Sequence, residues 1–223
     1  MLVQNRMTRD PVAVSPGDTL AHAARLTREH RIRHLPVVAD GELVGIVSDR
    51  DIRLASPSPL VTADGEVAEF MESTRVDAVM TRDVVTVGPC EAVEEAAKLI
   101  YRRRVGALPV VDVNNCLIGI LSETDVLRAF VEMVGGVEPS TRLEVSLPDR
   151  PGELARAVRV LGEDLRLNIT GILVSQARRQ ASKTAIVHVA TIDPREAIAA
   201  LEAAGFVVGW PSLETDLRRG MGE

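Results

Sequence analysis

The sequence predicts a mixed α/β protein made of two similar units and a third unit of a different pattern. Its first half is written twice, because residues 7–53 and 80–127 match over whole predicted elements. Met7 pairs with Met80 at an offset of 73 residues, and one extra residue near Asn114 shifts the later pairs by one. This period is too long for a solenoid repeat. The duplication therefore predicts two small units that pack on each other, with two equivalent clefts between them.

The composition limits the classes of function. With 223 residues, of which 46% are hydrophobic, the chain can build two domains or three small units with real cores. The net charge is −6, with acidic and basic residues mixed along the chain, which predicts no broad basic surface. Aromatic residues make up 2% of the chain and leave few platforms on which nucleic-acid bases could stack. We therefore expect no nucleic-acid partner.

Apolar stretches and cysteine usage indicate the cellular compartment. No stretch is apolar enough to span a bilayer, and the N-terminus carries no charged-then-apolar leader. Cys90 and Cys116 do not form a C-x-x-C pair, which favours free thiols in a reducing compartment. The sequence thus predicts a soluble, cytoplasmic protein without a membrane partner.

Each repeat predicts the element order β-α-β-β-α. A short extended segment is followed by a helix whose apolar residues, such as Leu20 and Ala23, have helical spacing. Two strands follow in the first copy, Leu35–Val38 and Leu43–Val47, and a second helix begins at Ser48. The predicted boundaries are repeat one at 1–60, a linker with a short helix at 61–79, repeat two at 80–134, and a second linker at 135–141.

The third unit, residues 142–212, has a different pattern. Segments in which apolar and polar residues alternate predict strands, and Ala-rich or Leu-rich segments predict helices. Their order is β-α-β-β-α-β, which is the ferredoxin-like plan. Residues 213–223 show no periodicity, and we expect a disordered tail there.

The strand-to-helix junctions of the two repeats carry the same residue types. Ser48 is followed three residues later by Asp51, and Ser122 by Asp125. One interpretation is a capping box at the start of each helix. The other is a nucleotide site, in which the carboxylate accepts hydrogen bonds from a ribose diol and the nearby hydroxyl and N–H groups meet phosphate oxygens.

These junctions belong to strings that resemble a known family. The strings are R-V-G-A-L-P-V-V-D, G-I-L-S-E-T-D-V and M-T-R-D-V-V-T-V. They resemble the CBS (cystathionine-beta-synthase) domain, and two in tandem resemble a Bateman module over residues 1–134. The resemblance implies that the Asp of one repeat binds the ribose of an adenine nucleotide, whose base rests against the first strand and the L-P strand of the other repeat.

Carried over by position, the resemblance implies two nucleotide-binding clefts. The first cleft consists of Ser15, Leu20, Ile32, Arg33, His34, Ser122, Thr124 and Asp125. The second cleft consists of Val93, Val105, Gly106, Ala107, Ser48, Arg50 and Asp51. Because Arg33 and His34 suit phosphate charge, we hypothesise that the first cleft binds the more highly phosphorylated ligand. The alternative is that both are ordinary solvated residues, as we also interpret the basic run Arg102–Arg104 at a helix end.

The third unit carries a D-x-P-G-x-L turn and a later N-I pair. This combination resembles the ACT domain over residues 142–210. In that family the turn and the Asn hold an amino acid at a subunit interface, although many members only dimerise by pairing sheet edges. The implied amino-acid site consists of Asp149, Pro151, Gly152, Glu153, Leu154, Asn168 and Ile169.

The combination of a CBS pair and one ACT domain resembles the acetoin utilisation protein B family. The stretch S-D-R-D-I-R-L-A-S-P-S, followed by V-D-A-V-M-T, adds to that likeness. We therefore predict a homodimeric, non-enzymatic sensor of adenine nucleotides that regulates an unidentified enzyme, with no catalytic residues, no metal and no cofactor. The resemblance implies an association with acetoin catabolism. The alternatives are a ligand-free scaffold and a regulator that binds S-adenosylmethionine. An enzyme is disfavoured because the common catalytic and nucleotide-hydrolysing motifs are missing from the sequence.

Overall fold

The computed structural model describes residues 1–57, 64–134, 140–175 and 182–211, and the chain divides into two units, Met1–Ala129 and Phe130–Glu223. The first unit holds both repeats. Its elements in chain order are β1 (Thr8–Arg9), α1 (Leu20–Glu29), β2 (His34–Ala39), β3 (Glu42–Ser48), α2 (Asp49–Ala55), α3 (Asp64–Ser73), α4 (Val93–Arg103), β4 (Ala107–Val111), β5 (Leu117–Ser122) and α5 (Glu123–Met133), the last of which continues past the boundary.

The two repeats exchange their opening segments. Strand β1 of the first repeat pairs with β5 of the second repeat, with Thr8 opposite Ile120. In the same way, Thr81 at the start of the second repeat forms an antiparallel bridge to Ile46 on β3 of the first. Each copy thus supplies an edge segment to the β-hairpin of the other, so neither repeat is complete alone.

The hydrophobic cores show the same exchange, because each repeat buries a residue from the segment before the other repeat. Val3 has no exposed surface and lies in the core of the second repeat, whereas Val76 has none and lies in the core of the first. Val76 falls in the predicted linker, residues 61–79. In the structure it follows α3, the short helix between the repeats, and packs with α1 and β2 of the first repeat.

Two glycines accept the exchanged segments. A Cβ atom on Gly119 would lie 2.5 Å from Sδ of Met7 and 3.1 Å from the carbonyl oxygen of Thr8. Gly45 has the same relation to Met80, also at 2.5 Å from the sulfur. Real Cβ atoms do not come within 2.5 Å of a non-bonded atom, so a side chain at either position would displace the methionine and crowd the carbonyl of the exchanged strand.

The second unit has the element order that the sequence predicts for the third unit. Its elements are β6 (Thr141–Pro148), α6 (Glu153–Arg159), β7 (Ile169–Ser175), β8 (Ser182–Val189), α7 (Arg195–Ala203) and β9 (Val207–Trp210). The antiparallel sheet has the order β7-β8-β6-β9, which is the ferredoxin-like arrangement. Alternate residues of β6, including Leu143 and Val145, pack against the two helices in one core. Strands β7 and β9 form the sheet edges.

Within the ranges described above, no helix combines the length and the apolar character needed to cross a membrane. The two cysteines, Cys90 and Cys116, are free thiols.

Candidate functional site

A cavity of about 1190 Å³ lies between the two repeats of the first unit. One wall comes from α2 and the first residues of β2 in the first repeat. The opposite wall comes from the end of α4 and the first residues of β4 in the second repeat. Apolar side chains such as Val85 lie between these walls, so the cavity offers both charged and apolar surface.

Most residues of the second predicted cleft line this cavity. They are Ser48, Arg50, Asp51, Val105, Gly106 and Ala107. The remaining residue of that set, Val93, has no exposed surface and belongs to the hydrophobic core of the second repeat. It opens α4, whose inward face packs on the sheet.

The residues of the first predicted cleft are separated in the structure. Arg33 and His34 line the same cavity as Asp51, although the sequence analysis grouped them with Asp125. The reason is strand register: β2 and β3 form an antiparallel hairpin in which His34 lies opposite Ser48. The start of β2 therefore adjoins the strand-to-helix turn of its own repeat.

The other members of that first set lie elsewhere. Leu20 is fully buried in the core of the first repeat, and Ile32 packs on that core and lines a smaller hollow of about 390 Å³. Ser15 is exposed, and its N–H donates to Asp18 at 2.7 Å. Ser122, Thr124 and Asp125 lie together at the end of β5 and the start of α5.

Both strand-to-helix junctions form the predicted capping interaction. Asp51 Oδ2 accepts hydrogen bonds from the N–H of Ser48 at 2.9 Å and from its hydroxyl at 2.6 Å. Asp125 makes the same two contacts with Ser122, at 2.9 and 2.6 Å. Because only Oδ2 is used, the second oxygen of Asp51 has no hydrogen bond within the described part of the chain. The capping and ligand-binding interpretations are therefore compatible.

His34 packs on Gly106 where the two repeats meet. A Cβ atom at residue 106 would lie 2.7 Å from Cε1 of His34, so the glycine leaves room for the ring. Burial lowers the pKa of His34 below its ordinary value, and Arg33 adds to this effect. The carboxylates of Asp49, Glu123 and Asp51 oppose the shift without cancelling it. At neutral pH the imidazole is therefore mainly uncharged.

The lowered pKa of His34 predicts a pH-dependent stability. The unfolded chain takes up a proton near the ordinary pKa of 6.5, whereas the folded chain resists protonation until lower pH. The stability contributed by neutral His34 is thus present above 6.5 and is lost as pH falls below it. We expect His34→Gln to reduce the pH dependence of urea unfolding between about pH 7.5 and 5.5. His30→Gln, at an exposed position, is the control, and an equal reduction by both variants would contradict this assignment.

Some cavity residues at the end of α4 are absent from both predicted clefts. Arg102 and Arg104 belong to the basic run that was interpreted as a solvated helix end, and both line the cavity together with Tyr101. Their position directly before Val105 was the available signal, because Val105–Ala107 had already been placed in a cleft. Asp83 and Glu123 also line the cavity.

The predicted amino-acid site of the second unit falls at two ends of the sheet. Asp149–Leu154 follow β6, whose last residue Pro148 lies opposite Ser182 at one end of β8. Asn168 precedes β7, whose first residue Ile169 lies opposite Val189 at the other end of β8. Eight strand residues place these ends about 20 Å apart. Within one chain these residues do not form a single site.

Local contacts hold the turn of the second unit. Gly152 has φ of +91°, a conformation that favours glycine, and directly precedes α6. Asp149 forms an ion pair with Lys183 at 2.6 Å, and Glu153 pairs with Arg156 at 2.7 Å. In the parts of the chain that the structure covers, no three His, Cys, Asp or Glu residues come together in a way that could hold a metal ion.

Comparison with known proteins assigns the first unit. The CBS domain family model matches residues 3–58 and 76–132, just over half of the chain. The second match begins at 76, as expected from the packing of Val76 in the structure. An inosine-5′-monophosphate dehydrogenase of Korarchaeum cryptofilum is 35% identical over 149 residues, which are 67% of this chain and 28% of that enzyme. The match is confined to the CBS part of the enzyme.

Two solved structures are similar to the same region. The CBS domain pair of protein MJ0100, in complex with 5′-methylthioadenosine and S-adenosyl-L-methionine, is 28% identical with a TM-score of 0.51, over 62% of this chain and 98% of that one. A protein assigned to acetoin utilization (AcuB) from Vibrio cholerae is 31% identical with a TM-score of 0.51, over the same shares of the two chains. The duplicated sequence, the exchanged strands and these matches show that the chain belongs to the CBS-domain family and carries a tandem CBS pair.

Proposed function

We propose that this chain is a regulatory protein that binds an adenine nucleotide in the cavity between its CBS domains. The observation that carries the proposal is the position of Asp51, which lines the cavity with one carboxylate oxygen unused. That oxygen can accept a hydrogen bond from a ribose hydroxyl, while Val85 and Val105 offer apolar surface to a base. Arginines on both walls suit phosphate.

The relatives support the adenosine part of this proposal. The MJ0100 pair was crystallised with two ligands that both contain adenosine. The match to the dehydrogenase covers 28% of that enzyme, so the resemblance does not extend a dehydrogenase activity to this chain. We infer a non-enzymatic cytoplasmic role in which ligand binding changes the affinity for a partner enzyme. The similarity to AcuB makes an enzyme of acetoin catabolism our candidate partner.

Isothermal titration calorimetry with AMP, ADP, ATP, S-adenosylmethionine and methylthioadenosine tests this function. We expect saturable binding of at least one adenine nucleotide, with a thermal stabilisation that grows with ligand concentration. Tightest binding of S-adenosylmethionine would favour the alternative regulator. Absence of binding by every compound would favour a scaffold, and turnover of any nucleotide would show an enzyme.

We propose that the second unit is an ACT-like module that joins two chains. Its edge strand β7 exposes Ile172, Leu173 and Val174, with 39%, 46% and 37% of their surface accessible. An exposed apolar edge strand is a template for pairing with another chain. Antiparallel pairing of two β7 strands would bring the start of one beside the end of the other. It would thus carry Asn168 of one chain towards the Asp149–Leu154 turn of the next, and an amino acid could bind between them.

A charge at this edge should dissociate the dimer. We expect Leu173→Lys to shift the chain from dimer to monomer in analytical ultracentrifugation, because two lysines would come close to each other near the centre of the paired strands. Val207→Lys is the matched control, since Val207 is 68% exposed on β9 at the other edge. A dimer that survives Leu173→Lys, or that Val207→Lys disrupts equally, would contradict pairing through β7.

A further inference from the structure

We propose that the ligand of the CBS cavity is a nucleoside di- or triphosphate, and that Arg102 and Arg104 bind the phosphates beyond the first. This inference rests on the proposed nucleotide binding and narrows its ligand class. It assigns a role to the basic run at the end of α4, which the CBS resemblance leaves without one.

The charged residues that the end of α4 contributes to the cavity are both cationic. Tyr101, Arg102 and Arg104 line it, and neither arginine forms a hydrogen bond or an ion pair within the described residues. The acidic residues of α4, Glu94 and Glu95, lie in its first turn, about 10 Å away along the helix. The pKa of Glu95 is lowered mainly by its contact with Lys98 at 2.6 Å and to a lesser extent by Arg102. Both guanidinium groups therefore face the cavity without a carboxylate in direct contact.

The opposite wall is electrically balanced. On α2, Asp49 and Asp51 accompany Arg50 and Arg53, and Arg53 donates to Asp49 at 3.1 Å. Arg33 also lines the cavity, as do the carboxylates of Asp83 and Glu123. These further charges give five arginines against four carboxylates in the whole lining. The excess positive charge is thus located at the end of α4.

Comparison of the repeats shows that the positive charge at the position of Arg102 is specific to the second copy. In the first copy the position of Arg102 is occupied by Glu29, which forms an ion pair with Arg25 at 3.8 Å. The charge at this position is therefore reversed between two otherwise similar helices. The position of Arg104 is basic in both copies, as Arg31, and both residues have a positive φ, 56° and 53°. The two copies thus share the backbone conformation at the end of this helix but differ in its charge.

The chemistry of this wall favours some ligands over others. Guanidinium groups pair well with phosphate oxygens through two parallel hydrogen bonds. Methylthioadenosine has no phosphate, and the sulfonium of S-adenosylmethionine would bring a positive charge towards the arginines. AMP has one phosphate, and Arg33 and Arg50 offer it guanidinium partners away from α4. A longer phosphate chain is the ligand that makes use of both walls.

The test compares two arginine variants with a matched control. Binding of ATP, ADP and AMP is measured by calorimetry without added divalent cations for wild type, Arg102→Gln/Arg104→Gln and Arg103→Gln. Arg103 lies in the same run but outside the cavity lining, so its replacement changes charge without removing a contact. We expect wild type to bind ATP and ADP more tightly than AMP. The double variant should lose about tenfold in affinity for each arginine toward ATP, with little change for AMP.

The remaining outcomes separate the inference from the proposed function. If AMP or S-adenosylmethionine binds as tightly as ATP, or if Arg103→Gln weakens ATP binding as much as the double variant, the inference is wrong while nucleotide binding stands. If no nucleotide binds, both fail. Tyr101 is the only tyrosine of the chain and lines the cavity, so its emission in a Trp210→Phe background gives an independent readout of occupancy.

Discussion

Replacing Asp51 by alanine should weaken adenine-nucleotide binding about a hundredfold, because it removes the charged carboxylate that accepts a hydrogen bond from the ribose hydroxyl. The same change at Asp125 should leave affinity for the large cavity within about threefold. Both aspartates cap a helix in the same way, but only Asp51 lines the cavity of about 1190 Å³. Calorimetric titration of both variants with ATP measures the difference.

The two variants control for each other. Each loses one capping interaction of the same geometry, so each should lower the free energy of unfolding by about 1 kcal/mol. A large loss of binding by Asp51→Ala at equal stability therefore reports the ligand contact and not the fold. Equal loss of affinity in both variants would place a second ligand of comparable strength at Asp125 and would refute a single dominant cavity.

The second large effect concerns the exchange of opening segments. Gly119→Val should destabilise the first unit by about 1–3 kcal/mol, because its side chain would occupy the space of the Met7 sulfur and press on the Thr8 carbonyl. Gly45→Val should have a similar effect through Met80. The free energy of unfolding is measured by circular dichroism in urea.

The control for these glycine variants is Gly17→Val. A Cβ atom on Gly17 would meet only the Arg75 side chain, at an ordinary distance of 3.6 Å. Trp210, the only tryptophan, lies in the second unit and reports that unit by fluorescence. We expect its transition to stay unchanged. A destabilisation by Gly17→Val equal to that of Gly119→Val would show that loss of glycine flexibility, and not the exchanged strand, is responsible.

Element order followed closely from the pattern of residues. The duplication and its turn residues predicted β-α-β-β-α twice, and alternation after residue 142 predicted the ferredoxin-like order of the second unit. The α-β-β-α part is present in both copies, whereas the opening strand is the two-residue β1 in the first copy and only isolated bridges at Thr81 and Val87 in the second. The patterns behind these predictions are local properties, since periodicity and turn chemistry depend on neighbours within a few residues. The capping boxes at Ser48 and Ser122 are local in the same sense.

The grouping of cavity residues depended on contacts that local patterns do not carry. Arg33 and His34 were assigned to the cleft of Asp125, although the hairpin register of β2 and β3 sets His34 opposite Ser48. That register could have been inferred from the short turn between the strands. The position of Arg102 and Arg104 at the same cavity could not be inferred in this way, because it depends on how the two repeats pack.

By itself, the sequence determined that this protein contains two copies of one α/β unit, followed by a βαββαβ unit. It also placed an aspartate in the first turn of the helix that follows the last strand of each copy. Only the tertiary structure decided which copy completes which sheet and which charges share a cavity. Because the two repeats match in sequence, local patterns allow β1 and its equivalent to pair either with their own repeat or with the other one. The choice is made by the close packing of Met7 on Gly119 and Met80 on Gly45, and by burial of Val3 and Val76 in each other's repeats.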